Sequence, residues 1–138
     1  MTIAKHAALL LMTLVGLTGL LNAQTSTTVK TQVPFAFVAN GQTMAAGECT
    51  IAVAVNGRTL LSISSGGKHA YAFPIADESP NARKKSVLLF HKYGDRYFLT
   101  SIQREKGTGY RLPVSRLERE LEARNLTWQG VTLLASAN

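Results

Sequence analysis

The chain has 138 residues, which is enough for one domain with a short appendage. Hydrophobic residues make up 46% and charged residues 17%, a composition that excludes general disorder, a collagen-like repeat and a coiled coil. The formal net charge is +7, and the single Cys excludes an intrachain disulfide framework and a cysteine-based zinc site.

Residues 1–23 have the pattern of a secretory signal peptide. Lys5 gives a short positive start, an uncharged leucine-rich run follows, and Ala23 is a small residue at the expected cleavage position. The alternative is a membrane anchor, but the apolar run is shorter than the ~20 residues that cross a bilayer. We predict export to the periplasm or the extracellular space. The mature protein is then a single β-rich domain, residues 24–138, without a transmembrane segment.

Alternating apolar and polar residues predict the first strands. A period of two runs through residues 33–37, and the segment 48–55 places Cys49, Ile51, Val53 and Val55 on one face. Asn56–Gly57 predicts a hairpin with a type I′ turn, because both central positions of that turn require a positive φ. Turn residues also occur at Asn40–Gly41 and at Ser65–Gly66–Gly67.

A second hairpin is predicted over residues 86–103. Gly94–Asp95 fits a two-residue loop with Gly first. This loop predicts three cross-strand pairs, namely Tyr93 with Arg96, His91 with Phe98, and Leu89 with Thr100.

The pattern changes in the last quarter of the chain. Ser115 and Glu118 have the spacing of a capping box, in which each side chain pairs with the other residue's backbone N–H and starts a short helix. The final segment, 126–135, again resembles a strand, with Trp128, Val131 and Leu133 as candidates for burial. We predict an all-β, mainly antiparallel fold, a small barrel or a sandwich of about six to eight strands with one short helix. The sequence does not decide whether the sheet closes.

Three stretches resemble a group of small secreted bacterial proteins that is best represented in acidobacterial genomes. They are VPFAFVANGQTMAAGECTI at 33–51, KSVLLFHKYGDRYFLTSIQ at 85–103 and SRLERELEARN at 115–125. The first departs from the group's pattern because Cys49 stands where an aromatic residue is usual. The resemblance implies export and a β-rich fold, and it transfers no activity and no site residues.

Candidate catalytic residues cluster at the second hairpin. His91, Tyr93 and Asp95 could form a small acid/base group, with His91 as the base. The alternative, which we favour, is that they build the turn, with Tyr93 packing on Arg96. The sequence shows neither a pocket nor a supporting group, so we expect no catalytic site.

Candidate ligand-binding residues are basic. Arg83, Lys84 and Lys85 form the one concentrated run of positive charge, and Arg96 is a further candidate. Such a cluster could bind an anionic envelope polymer, although a solvated loop is the simpler explanation. We expect no nucleic-acid partner.

Neither metal nor cofactor chemistry is predicted. The histidines lack ligand spacing, and no phosphate-binding loop, nucleophile elbow or dinucleotide-binding turn occurs. Cys49 lies on an apolar strand face and is predicted to be a buried, inert thiol.

The sequence leaves three functions open. The one we favour is a non-enzymatic exported β-domain that binds an envelope component or a small apolar or anionic ligand. The alternatives are a small exported hydrolase or isomerase centred on His91, and a structural subunit that assembles with itself.

Overall fold

The computed structural model describes residues 27–77, 85–105 and 108–137, which form eleven strands and one helix. The strands are β1 (Thr27–Val33), β2 (Phe37–Ala39), β3 (Gln42–Met44), β4 (Gly47–Val55), β5 (Thr59–Ser65), β6 (Lys68–Ala72), β7 (Ile75–Asp77), β8 (Ser86–Tyr93), β9 (Arg96–Gln103), β10 (Gly109–Arg111) and β11 (Gln129–Ala137), and the helix is α1 (Arg116–Ala123). The predicted signal peptide, residues 1–23, lies outside the described residues, so it stays a prediction.

Nine strands follow one another in a single curved sheet, in the order β3-β2-β9-β8-β11-β1-β4-β5-β6. Neighbours on this path are antiparallel except β2 and β9, which run parallel through one pair, Val38 and Phe98. The other two strands form a side branch, in which β10 pairs with both β7 and β9. The predicted all-β, mainly antiparallel fold is therefore confirmed.

The two ends of the path, β3 and β6, are brought together by hydrogen bonds from side chains to the backbone. Asn40 Nδ2 donates to the Tyr71 carbonyl at 2.7 Å. Ser65 Oγ donates to the Ala45 carbonyl, also at 2.7 Å. The sheet consequently curls into a nearly closed barrel, a point that the sequence left open.

The predicted count of six to eight strands is wrong for the described residues, which contain eleven. Four of them, β2, β3, β7 and β10, have only three residues each. A period of two needs about four or more residues to be recognised, so such short strands leave no clear signal in the sequence.

Apolar side chains from alternate strand positions fill the barrel interior. Cys49, Ile51 and Val53 on β4 are buried as predicted, whereas Val55 at the end of the strand is 65% exposed. Phe37 and Phe90 meet edge to face inside the barrel, with ring centroids 5.5 Å apart. Because these side chains occupy the interior, the barrel has a packed core.

The type I′ geometry predicted at Asn56–Gly57 occurs instead at Asn40–Gly41. There both residues have positive φ, 46° and 81°, and the loop between β2 and β3 has two residues. At Asn56–Gly57 only the glycine has positive φ, and Val55 pairs with Thr59 across a three-residue loop. The prediction of a hairpin was right and its turn type was wrong.

The second hairpin has the predicted two-residue loop at Gly94–Asp95. Tyr93 pairs with Arg96 and His91 pairs with Phe98, as predicted.

Further along this hairpin the register changes. Leu89 pairs with Ser101 and not with Thr100, because a β-bulge makes Thr100 an extra residue in β9. The Thr100 hydroxyl donates to the Leu89 carbonyl at 3.1 Å, and the Thr100 carbonyl accepts from the Leu112 N–H at 2.8 Å. The bulge thereby places Ser101 on the same outer face of the hairpin as Leu89 and His91.

Helix α1 lies against this outer face. Its N-cap is Ser115, whose hydroxyl accepts from the Glu118 N–H at 3.2 Å, so one half of the predicted capping box is present. The Glu118 carboxylate turns towards β8 instead of returning to the cap. No helix within the described ranges is both long and apolar enough to cross a membrane.

Candidate functional site

Two side chains of β8 and two of α1 form a hydrogen-bonded cluster. His91 Nδ1 lies 2.8 Å from Glu118 Oε1. The Tyr93 hydroxyl lies 3.3 Å from Glu118 Oε1 and 3.2 Å from Glu122 Oε1. Alternate residues of a strand share a face, so His91 and Tyr93 lie on the same side of β8. Residues four apart on a helix also share a face, so Glu118 and Glu122 lie on the same side of α1.

Burial gives the cluster its electrostatic character. The Glu118 side chain is only 5% exposed, and its carboxylate is satisfied by the imidazole and the phenol. Burial, followed by the carboxylates of Glu118 and Glu122, raises the pKa of Tyr93. Tyr93 therefore keeps its proton and shares this one donor between the two carboxylates.

The position of the His91 ring is also set by Trp128. The two rings stack with centroids 3.7 Å apart and planes inclined by 12°. Trp128 was predicted to be buried, but it is 48% exposed and covers the imidazole from outside the sheet. With Glu118 on Nδ1 and Trp128 on one face, the ring is held in one orientation.

A pocket of about 330 Å³ lies between α1 and the outer face of the hairpin. Its walls combine apolar and polar side chains, namely Asp77, Leu89, His91, Leu99, Thr100, Ser101, Gln103, Arg111, Leu112, Pro113, Val114, Glu118 and Glu122. This volume lies within the range of sites that hold small molecules.

Ser101 is the unusual residue in this lining. It is 6% exposed, and its hydroxyl is the one buried side-chain polar atom in the described residues that lacks a hydrogen-bond partner. Buried polar groups in folded proteins are nearly always paired, because an unpaired one loses its bonds to water without compensation. Ser101 thus places a buried, unpaired hydroxyl at the wall of the pocket.

An ion pair lies in the same lining. Arg111 Nη2 is 3.9 Å from Asp77 Oδ1, and the Arg111 side chain is 58% exposed. An exposed pair at this distance is weak, so both groups can reorient towards a ligand.

The candidate catalytic residues from the sequence are separated. His91 and Tyr93 both belong to the cluster, and His91 lines the pocket. Asp95 lies exposed in the hairpin loop and lines a different cavity. The predicted packing partner of Tyr93, Arg96, is its cross-strand neighbour, but the Tyr93 hydroxyl points to α1.

The two basic candidates that the structure describes, Lys85 and Arg96, lie apart. Lys85 is exposed and precedes β8, whereas Arg96 begins β9 at the opposite end of the hairpin, about 25 Å away at the usual rise of a strand. Arg83 and Lys84 lie outside the described residues.

The sequence did not identify Glu118, Glu122 and Ser101 as site residues. Glu118 was assigned to the cap and Glu122 was not considered, although residues four apart on a helix share one face. Ser101 was not named because Leu89 was predicted to pair with Thr100, and the bulge at Thr100 shifts that register by one residue.

Cys49 takes no part in the site. It is fully buried in the barrel core, and burial raises the pKa of its thiol to about 11. The predicted buried thiol is therefore confirmed. Among residues 27–77, 85–105 and 108–137, no group of three or more His, Cys, Asp and Glu side chains is arranged to hold a metal ion.

Comparisons of this chain with protein-family models, with curated proteins and with solved structures gave no match.

Proposed function

We propose that this protein is an exported β-domain that binds a small molecule in the pocket beneath α1. The observation that carries the proposal is the Ser101 hydroxyl, which is buried, unpaired in the described structure, and part of the pocket lining. Apolar walls around a few convergent polar groups are typical of ligand sites. The barrel interior is packed, so the binding site lies outside it.

Benzyl alcohol is a suitable first probe because it combines an apolar ring with one hydroxyl. We expect it to shift the NMR amide signals of residues around Ser101 and Leu112 in the purified protein. Val114→Trp should weaken this binding, since Val114 is an exposed residue at the pocket. Leu134→Trp, at an exposed position on β11 outside this pocket, serves as the matched control. Shifts scattered over the surface, or equal binding by both variants, would refute a site beneath α1.

Export is supported by the signal-like pattern of residues 1–23. The test is N-terminal sequencing of the protein recovered from the periplasmic fraction of a bacterial host. We expect the mature chain to begin at Gln24. A chain that retains Met1 and stays in the cytoplasm or the membrane contradicts the proposal.

A hydrolase or isomerase centred on His91 is the second candidate, and the 2.8 Å contact between His91 and Glu118 favours it. When Glu118 accepts from Nδ1–H, the neutral ring carries a lone pair on Nε2 and can take a proton from water or substrate. The buried carboxylate then stabilises the imidazolium that forms, as in other His–carboxylate pairs.

Hydrolysis of 4-nitrophenyl acetate tests this second candidate. Water loses a proton to Nε2 as its oxygen attacks the acetyl carbon, and 4-nitrophenolate leaves. General-base catalysis of this kind contributes about a hundredfold or more, so His91→Gln should remove most of the activity. His69→Gln is the control, because His69 is exposed on β6. Equal activity of the two variants means that His91 is not a catalytic base.

A further inference from the structure

We propose that the pocket beneath α1 takes a small organic cation, an ammonium group on an apolar body. This inference rests on the proposed function and specifies its ligand. Three carboxylates line the pocket, those of Asp77, Glu118 and Glu122, against one guanidinium, that of Arg111. The whole chain carries a formal net charge of +7, so this acidic lining runs against the overall charge of the protein.

The hydrogen-bonding inventory of the pocket favours the same ligand. When Glu118 accepts from His91 Nδ1–H, the neutral ring presents Nε2 as an acceptor. Tyr93 already directs its hydroxyl to Glu118 and Glu122. The lining also holds donors, the Arg111 guanidinium and the Gln103 amide, but its three carboxylates accept only. An ammonium group carries three donors and no acceptor, so it suits these carboxylates.

Ser101 gives a second, independent indication that the pocket binds a ligand. Its buried hydroxyl has no partner among the described residues, and a hydroxyl can accept as readily as it donates. An ammonium within the pocket would satisfy this oxygen while facing the carboxylate of Glu122, which lies exposed at the same lining.

Apolar side chains of the pocket can contact the apolar part of the ligand. Leu89, Leu99, Leu112, Pro113 and Val114 line the pocket around its polar groups. A volume of about 330 Å³ accommodates an aromatic ring with a short polar arm. The ligand class is consequently an amine with one ring or a short aliphatic chain.

Three probes of almost equal size and different charge test the inference, namely benzylamine, benzyl alcohol and benzoate. Their dissociation constants are measured by NMR titration of the full protein. Hydrogen bonds that involve charged groups are roughly twice as strong as neutral ones, so we expect benzylamine to bind about tenfold tighter than benzyl alcohol. Benzoate should bind weakest.

Glu122→Gln keeps the side-chain size and removes one carboxylate from the pocket, and it should reduce the preference for benzylamine severalfold. Glu48→Gln makes the same change of net charge at an exposed residue of β4 outside this pocket, and it should leave the preference unchanged.

Each outcome decides the inference. Equal binding of benzylamine and benzyl alcohol leaves the proposed binding function standing and overturns the cationic ligand. Tightest binding of benzoate also overturns it and assigns the site to Arg111. Failure of all three probes to shift residues around the pocket refutes the binding function itself, and the cation with it.

Discussion

His91 Nδ1 lies 2.8 Å from Glu118 Oε1, and this contact joins β8 to the first turn of α1 across 27 positions of sequence. The carboxylate is buried, and it also accepts from Tyr93. The Glu118 side chain therefore links α1 to β8 by hydrogen bonds, and it also lines the pocket.

Removal of this carboxylate should destabilise the protein. We expect Glu118→Ala to lower the free energy of unfolding by about 2 kcal/mol, because it deprives His91 of its acceptor and removes one of the two acceptors of Tyr93. The measurement is urea unfolding followed by the fluorescence of Trp128. Glu120→Ala in the same helix is the control, since Glu120 makes only an exposed pair with Arg116, and it should cost no more than about 0.5 kcal/mol. Equal losses for the two variants would show that Glu118 does not fasten α1.

The Tyr93 hydroxyl should contribute separately to stability. Tyr93→Phe removes the bonds to Glu118 and Glu122 and keeps the ring against Phe98, so we expect a loss of about 1 kcal/mol. Tyr71→Phe removes a hydroxyl from an exposed ring and should be nearly neutral. Both are measured by urea unfolding. A neutral Tyr93→Phe contradicts the hydrogen bonding described for the cluster.

Closure of the barrel depends on a close approach at Gly66. A Cβ on Gly66 would lie 2.5 Å from the Cβ of Ala45, whereas one on Gly67 meets nothing within 4 Å. Both glycines have positive φ, 57° and 77°, so alanine at either position carries a similar backbone penalty of about 1 kcal/mol.

The difference between the two variants therefore isolates the contact. Because the clash separates the β5–β6 turn from Ala45, we expect Gly66→Ala to unfold at lower urea and to cost about 1–3 kcal/mol more than Gly67→Ala. A smaller loss of stability for Gly66→Ala than for Gly67→Ala contradicts the close contact between Gly66 and Ala45.

The buried thiol of Cys49 should make stability fall at alkaline pH. Its pKa is raised from 9.0 to about 11, so the folded state holds its proton more tightly than the unfolded state. Below pH 9 the stability that the protonated thiol contributes is fully present. Between pH 9 and 11 this stability is lost at about 1.4 kcal/mol per pH unit, about 2–3 kcal/mol in all.

Cys49→Ala removes this dependence, although it also lowers stability at neutral pH by leaving a small cavity. The free energy of unfolding of both proteins is measured by urea denaturation from pH 8.5 to 10.5. Parallel curves for the two proteins would contradict the titration of a buried thiol, whatever their vertical offset.

Much of the fold was accessible from the sequence, because local patterns determine it. Alternation in β4 identified the buried face of Cys49, Ile51 and Val53, and Gly94–Asp95 located the second hairpin loop. Ser115 marked the start of α1. Each of these signals lies within a few residues of the element that it specifies, so no knowledge of distant contacts was needed.

The sequence named His91 and Tyr93 but not the arrangement that they form with α1, because long-range packing assembles it. A one-residue bulge at Thr100 carried Ser101 into the pocket, and alternation alone cannot reveal an extra residue in a strand. Glu118 fitted a capping box locally, but the His91 imidazole and the buried Tyr93 phenol on β8 are the partners of its carboxylate. Strand and helix patterns were thus determined by the sequence itself. Sheet closure and the meeting of β8 with α1 were decided by tertiary structure, since they depend on which distant surfaces bury each other.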